Sequence, residues 1–333
     1  MTRIRIGLIA AALVMLTACT PSPPQPHPAE AAPFPVVTDA QVAAIMASLE
    51  STLDEADANL DADMVAARLE GPALDIRQAD YQVAATGGAL ASMPIERDER
   101  ADIVVAQNTK WPRVVLVTTK QPSDLVGTPR ILVLRQESPR EPYRLWGSAG
   151  LGSGQSTPEM TASRVGSPTV PMDDADLVVE PGEVLDLYAD VLQHGDESEH
   201  VGLFIGTDVD GLRRGIEATR KKIMDKKGDA GEYSEAFAAS EEGPVVVLAT
   251  ADGGALVIGR LTTTVQAKGI DVTAAAPEDP MLGRVSALAG GQMSTAMTWS
   301  YTDIVVFKIP SAATPGPVVV TAYAHVVTSA AKL

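Results

Sequence analysis

The sequence predicts an α+β protein in which two successive blocks each set helices ahead of an antiparallel sheet. Three observations carry this. Apolar residues recur at helical spacing where each block opens. Strand-like runs close each block, separated by short turn-rich links. Hairpins stand where a parallel sheet would need long crossovers.

The chain opens with Arg3 and Arg5, followed by an uninterrupted run of apolar or small residues from Ile6 to Leu16. That run has signal-peptide length and falls short of the ~18 residues that span a bilayer. It ends in Leu16-Thr17-Ala18-Cys19, which resembles the bacterial lipobox. The resemblance implies that the Cys19 thiol is diacylglycerylated and that signal peptidase II cuts before it, anchoring the chain to the membrane through lipid. Cys19 is the only cysteine, so the mature body is expected to hold no disulfide, thiolate zinc site or cysteine nucleophile. Thr20 to Pro35 is proline-dense and reads as a polyproline spacer of up to ~50 Å. Its His27 has no ligand companions.

The first block opens at Thr38-Asp39-Ala40-Gln41, a capping-box pattern, and Val42, Ile45, Met46, Leu49 and Leu53 follow at helical spacing. A second short helix is expected near Asp61 to Leu69, stopped at Gly71-Pro72. Arg113 to Lys120 and Arg130 to Glu137 read as an antiparallel pair, with a last short strand around Tyr143 to Trp146. Gly147 to Pro171 is rich in Gly, Ser, Thr and Pro and reads as a connection. Its Gly150-Leu151-Gly152-Ser153-Gly154 lacks the preceding strand and following helix that a phosphate cradle needs.

The second block opens at Pro181, with Val184, Leu185, Tyr188, Val191 and Leu192 on one face and Gly195 as stop. Another helix is expected over Asp208 to Lys227, burying Leu212, Ile216 and Ile223. Val245 to Thr250 and Ala255 to Gln266 flank the hairpin signal Asp252-Gly253-Gly254. Trp299 to Ile309 and Val318 to Thr328 form a final hairpin. The expected organisation is thus a signal peptide over 1–18, a lipidated cysteine and tether over 19–37, one domain over 38–150, a linker over 151–176 and a second domain over 177–333.

This order of elements resembles tandem nuclear-transport-factor-2-like, cone-shaped domains. The phrases that carry the resemblance are RLEGPALDIRQADYQVA (Arg68–Ala84), PYRLWG (Pro142–Gly147) and PGEVLDLYADVLQHGDES (Pro181–Ser198). The same phrases resemble those of uncharacterised lipoproteins of high-GC Gram-positive bacteria, a family that supplies no activity to carry over.

The formal charge of −17 repels phosphate backbones, which argues against nucleic acid as a partner. The four histidines, His27, His194, His200 and His325, show no HExxH spacing, and no G-x-S-x-G elbow is present. Neither a cofactor nor a metal is expected. Alternation along the terminal hairpin places Trp299, Tyr301 and Asp303 on one strand face and Tyr323 and His325 on a face of the other. If the register aligns them, they could line a ligand pocket with an acid and a base; otherwise Asp303 and His325 are solvated on a half-buried sheet. The basic run that includes Arg213, Arg220 and Lys221 is either a contact for an anionic partner or a solvated helix face whose cations complement the macrodipole.

Three readings stand side by side. The first is a binding or interaction module of the cell envelope with a protein partner, held at the extracytoplasmic face. The second is an isomerase- or dehydratase-like enzyme using the hairpin pocket. The third is a structural accessory subunit of a membrane complex.

Overall fold

The computed structural model describes residues 34–90, 100–108, 110–121, 127–225, 227–270 and 279–333. Cys19, His27 and the signal and lipobox residues lie outside them. Helix α1 (Asp39–Asn59) starts at the capping box: Thr38 Oγ1 accepts from Gln41 N–H at 3.3 Å, and Gln41 Oε1 accepts from Thr38 N–H at 2.8 Å. Val42, Met46, Leu49 and Leu53 are buried along one stripe, each worth about 1.5–3 kcal/mol against leaving it in water.

Asp61 caps the short α2 (Ala62–Ala66). Gly71-Pro72, expected as a stop, instead opens a third helix, α3 (Gly71–Ala85). The reason lies in the proline itself. In the first turn its missing N–H would have no helical partner anyway, so the residue that ends helices also begins them.

Strands β1 (Arg100–Gln107), β2 (Arg113–Thr119), β3 (Arg130–Gln136) and β4 (Arg144–Leu151) form an antiparallel meander. The β2–β3 pair follows the sequence reading. β1 was not anticipated, and β4 runs on through Gly147–Leu151, residues expected in the connection. The two residues of β5 (Ser167–Pro168) come next.

The second half contains α4 (Val184–His194), α5 (Gly211–Met224), β6 (Lys227–Ala239), β7 (Val246–Ala249), β8 (Ala255–Ile270), α6 (Pro280–Leu288), β9 (Ala296–Ile309) and β10 (Val319–Lys332). Gly195, at φ 62°, ends α4 as expected. β6 and α6 were not anticipated.

The ten strands of the described residues belong to one sheet, in the order β5-β1-β2-β3-β4-β10-β9-β8-β6, with β7 also paired to β8. The halves join where Ala322 and Tyr323 of β10 face Leu151 and Gly150 of β4. They join again through residues 167–170. Ser167 and Pro168 run parallel to Ala106 and Gln107, while Thr169 bridges Leu248 and Val170 N–H donates to Val247 O. The pairings therefore return to their start, and the sheet closes into a barrel.

Side-chain alternation then sorts the core into layers. Val104, Leu116, Val133, Trp146, Ile258 and Ile304 point into the barrel, joined by residues of β7 and β10. On the outside, Val105, Val115 and Leu132 pack under α1 and α3. Val257, Val305 and Phe307 pack under α4 and α5. A third outer cluster gathers Val265, Trp299, Tyr301 and Val327 around α6 and Ile223.

The chain is thus mixed α+β and rich in sheet, and Pro33–Leu333 forms one compact unit. Where the sequence led us to expect two sheets joined by a linker, the blocks share one sheet, and part of that linker forms its closing seam. Its Ser167 is fully buried there. The expected tether also ends earlier. Val36 and Val37 are buried against α1's core, and Val36 N–H donates to Ala106 O at 3.2 Å, because two adjacent valines gain more by burial than by extending a spacer. No helix among the described residues is long and apolar enough to cross a membrane.

Candidate functional site

The register of the β9–β10 ladder decides the fate of the hairpin residues. His325 stands opposite Asp303, Tyr323 opposite Val305 and Val327 opposite Tyr301, with irregularities between Val320 and Ala322 and between Val327 and Ser329. Asp303 and His325 therefore share the barrel's outer face. His325 Nδ1 lies 2.6 Å from Asp303 Oδ1. From the neighbouring β8, Thr263 Oγ1 donates to Asp303 Oδ2 at 2.6 Å. Tyr301 stacks on the imidazole, with ring centroids 3.8 Å apart and planes 8° from parallel.

The expectation that Asp303 is solvated does not hold, since its side chain is 2% exposed. That of His325 is 20% exposed. Burying a carboxylate is expensive unless its lone pairs are met, and here both oxygens are met. Burial first, opposed by Trp299 and helped by the negative charges of Glu235, Asp303 and Asp279, pushes the Tyr301 phenol up to about 12. The Tyr301 phenol therefore stays protonated at physiological pH.

The other two hairpin residues do not join this group. Trp299 is buried in the cluster around α6. Tyr323 packs with the α4–α5 cluster and ends against the first turn of α5, where a Cβ on Gly211 would stand 2.9 Å from Tyr323 Oη.

The basic run divides between buried and exposed cations. Arg213 is 3% exposed and pairs with Asp196 at 2.6 Å and Glu217 at 3.1 Å. Arg220 pairs with the buried Glu235 at 2.6 Å and donates to Leu192 O at 3.1 Å. Lys221 pairs with Asp225 one turn on, at 2.8 Å. Arg213 and Arg220 are thus spent on carboxylates of the same molecule, while the Lys221 side chain is 75% exposed.

Two polar groups escaped the sequence reading. Asp210 is wholly buried at the start of α5, accepting from Arg213 N–H at 3.0 Å and from Tyr188 Oη at 2.8 Å. Burial holds its carboxyl above the ordinary carboxylate range and pushes the Tyr188 phenol well up. The second group centres on buried Arg77 of α3, which binds Asp57 of α1 and lies 3.5 Å from Asp80. Tyr81 Oη donates to Asp57 at 2.7 Å. Asp210 did carry a legible signal, a capping position just before a helix. Arg77 carried none, because nothing local marks a buried arginine.

Among the described residues, no group of three or more His, Cys, Asp or Glu is arranged to hold a metal ion. Residues 33–332 match a protein family described as "Domain of unknown function (DUF8094)". No curated protein and no solved structure matches the chain.

Proposed function

For a chain that belongs to the DUF8094 domain family, we propose the role of a lipid-anchored module that binds a partner at the extracytoplasmic face of the cell envelope. The observation that carries this reading is a coincidence of boundaries. The family match begins at residue 33, the compact unit begins at Pro33, and the proline-dense segment after Cys19 leads up to the same place. A signal, a lipobox cysteine and a spacer ahead of a self-contained body make the plan of a tethered protein. The surface charge of −17 supports tethering over adsorption, since anionic headgroups repel it.

We read the body as two cone-like halves that share one closed sheet. In support, helices cover the outer face of β1–β4 in one half and of β7–β10 in the other, while the inner faces meet in the barrel core. The resemblance to uncharacterised lipoproteins of high-GC Gram-positive bacteria agrees with this reading.

The test is membrane partition in a high-GC Gram-positive host. Wild-type protein should pellet with membranes and resist carbonate washing, and Cys19→Ser should leave the precursor uncut at the lipobox. A Cys19→Ser protein that is still processed before residue 19 and still resists carbonate would overturn the proposal.

A further inference from the structure

We propose that the corner of the body at the root of the tether docks on an anionic phospholipid surface. Phe34, Trp111 and Val165 enter the interface, and Lys110, Arg113 and Arg164 meet the headgroups. The inference rests on the anchoring proposal and deepens it, because it says which side of the body turns toward the membrane.

Contacts bring these residues from three separate segments to one end of the sheet. Pro35 bridges Gln107 at the end of β1. Gln107 Nε2 donates to Val165 O at 2.8 Å, and a Cβ on Gly166 would stand 3.4 Å from Pro35 Cα. Across the β1–β2 turn, Arg113 Nη1 donates to Val36 O at 3.4 Å. The Arg113 guanidinium also lies over the Trp111 ring, 4.3 Å from its centroid. The most exposed large apolar side chain among the described residues, Phe34 at 76%, stands here with Val165 at 46%. Neither is covered by the fold, and Trp111 beside them is only half-buried. Exposed apolar side chains beside a tryptophan and cations suit the boundary between headgroups and acyl chains.

Charge at this corner runs against the rest of the molecule. The chain carries 43 acidic residues, yet none lies from 103 to 123 or from 160 to 172. Lys110 and Arg164 are exposed, and neither they nor Arg113 makes an ion pair among the described residues. Lys221, Lys222 and Lys308, by contrast, are each paired with a carboxylate. The adjoining β3–β4 turn is neutral in sum, with Arg135 and Arg140 against Glu137 and Glu141. A formal charge of −17 keeps a free body off an anionic surface. It does not set the orientation of a body that lipid already holds there. The tether ends where the compact unit begins, at Pro33, so the corner carrying Phe34 is the part nearest the anchor. Its cations act within a Debye length of about 8–10 Å, while the acidic remainder faces away and is screened.

The sole cysteine allows docking to be tested apart from natural lipidation. The chain beginning at Cys19, which contains the whole compact unit Pro33–Leu333, is coupled through its thiol to maleimide-bearing lipid. The vesicles are phosphatidylglycerol and phosphatidylcholine with brominated acyl chains, which quench tryptophan at the interface. Trp146 and Trp299 are 3% and 1% exposed, so quenching reports on Trp111. We expect quenching that disappears in Trp111→Phe. The docked-to-undocked ratio should fall at least about 20-fold in Lys110→Glu/Arg164→Glu, and it should fall when phosphatidylglycerol is omitted. Phe34→Ser/Val165→Ser should lower it too, and circular dichroism should match wild type because both pairs alter exposed side chains. Equal quenching with and without phosphatidylglycerol, no response to the charge reversals, or dimers formed through this corner in vesicle-free solution would each overturn the proposal. A Cys19 left unlipidated in cells would instead strike the anchoring proposal, which the thiol coupling bypasses.

Discussion

Arg284 of α6 donates to Asp80 of α3 at 2.7 Å, joining residues 204 positions apart in the sequence. Its Nε also donates to Val327 O of β10 at 2.6 Å. Asp80 in turn faces Arg77, whose other partner is Asp57 of α1. One chain of charges therefore ties both halves of the protein together beside the barrel. Such a buried chain contributes little against a well-packed apolar substitute, but losing one member leaves the others uncompensated.

Arg77→Ala should for this reason cost about 3–5 kcal/mol, since it takes from Asp57 its arginine, leaving it the Tyr81 hydroxyl, and leaves Asp80 with Arg284 alone. Arg284→Ala should cost less, about 1–2 kcal/mol, because Asp80 keeps Arg77. Urea unfolding of both variants measures the difference. Equal losses would mean that the network is not organised around Arg77.

The Asp303–His325 pair should show coupling in a double-mutant cycle. With Asp303→Ala and His325→Ala, we expect an interaction energy of about 1–3 kcal/mol. Each single change leaves the partner facing an apolar sheet, whereas the double change removes both polar groups. A coupling near zero would mean that the 2.6 Å contact contributes nothing to folding.

Gly71→Ala should destabilise by about 1–3 kcal/mol. Gly71 has φ of +52°, and a Cβ there would stand 2.9 Å from Trp146 Nε1 in the barrel core. Thermal unfolding followed by Trp146 fluorescence reads both effects. An unchanged midpoint would show that α3 can start without the left-handed residue.

Asp252 supplies a pH-dependent test. Its carboxyl is held at about 2, first by the hydrogen bond from Lys308 Nζ at 2.5 Å and then by Thr250 Oγ1. A folded-state value below the unfolded ~3.9 stabilises the protein above that pH, and the contribution is lost as pH falls through about 2. The side chain is 54% exposed, so screening leaves about 0.5–1 kcal/mol. Asp252→Asn should thus unfold at lower urea than wild type at pH 7, with the gap shrinking from pH 4 toward pH 2. A gap that widens on acidification would contradict the sign.

Much of the fold was legible because its signals are local. Thr38 and Gln41 announce α1, Asp252-Gly253-Gly254 announces a hairpin, and the Tyr188 stripe announces α4. The closure was not legible. It depends on Ser167 and Thr169 finding Ala106 and Leu248, and two-residue pairings leave no periodicity to read. α3 was missed because Gly-Pro both ends and begins helices. At the site, residue types pointed to Asp303 and His325, but their meeting rests on register, which the hairpin loop and two ladder irregularities set. Thr263 was invisible for the same reason, being one of three consecutive threonines on β8.

The anchoring proposal is tested most directly by the intact mass of the protein extracted from membranes. The account predicts a chain that begins at Cys19, lacks Met1 to Ala18, and carries diacylglycerol on its thiol. A chain that begins elsewhere, or a Cys19 with a free thiol in the membrane fraction, would contradict it.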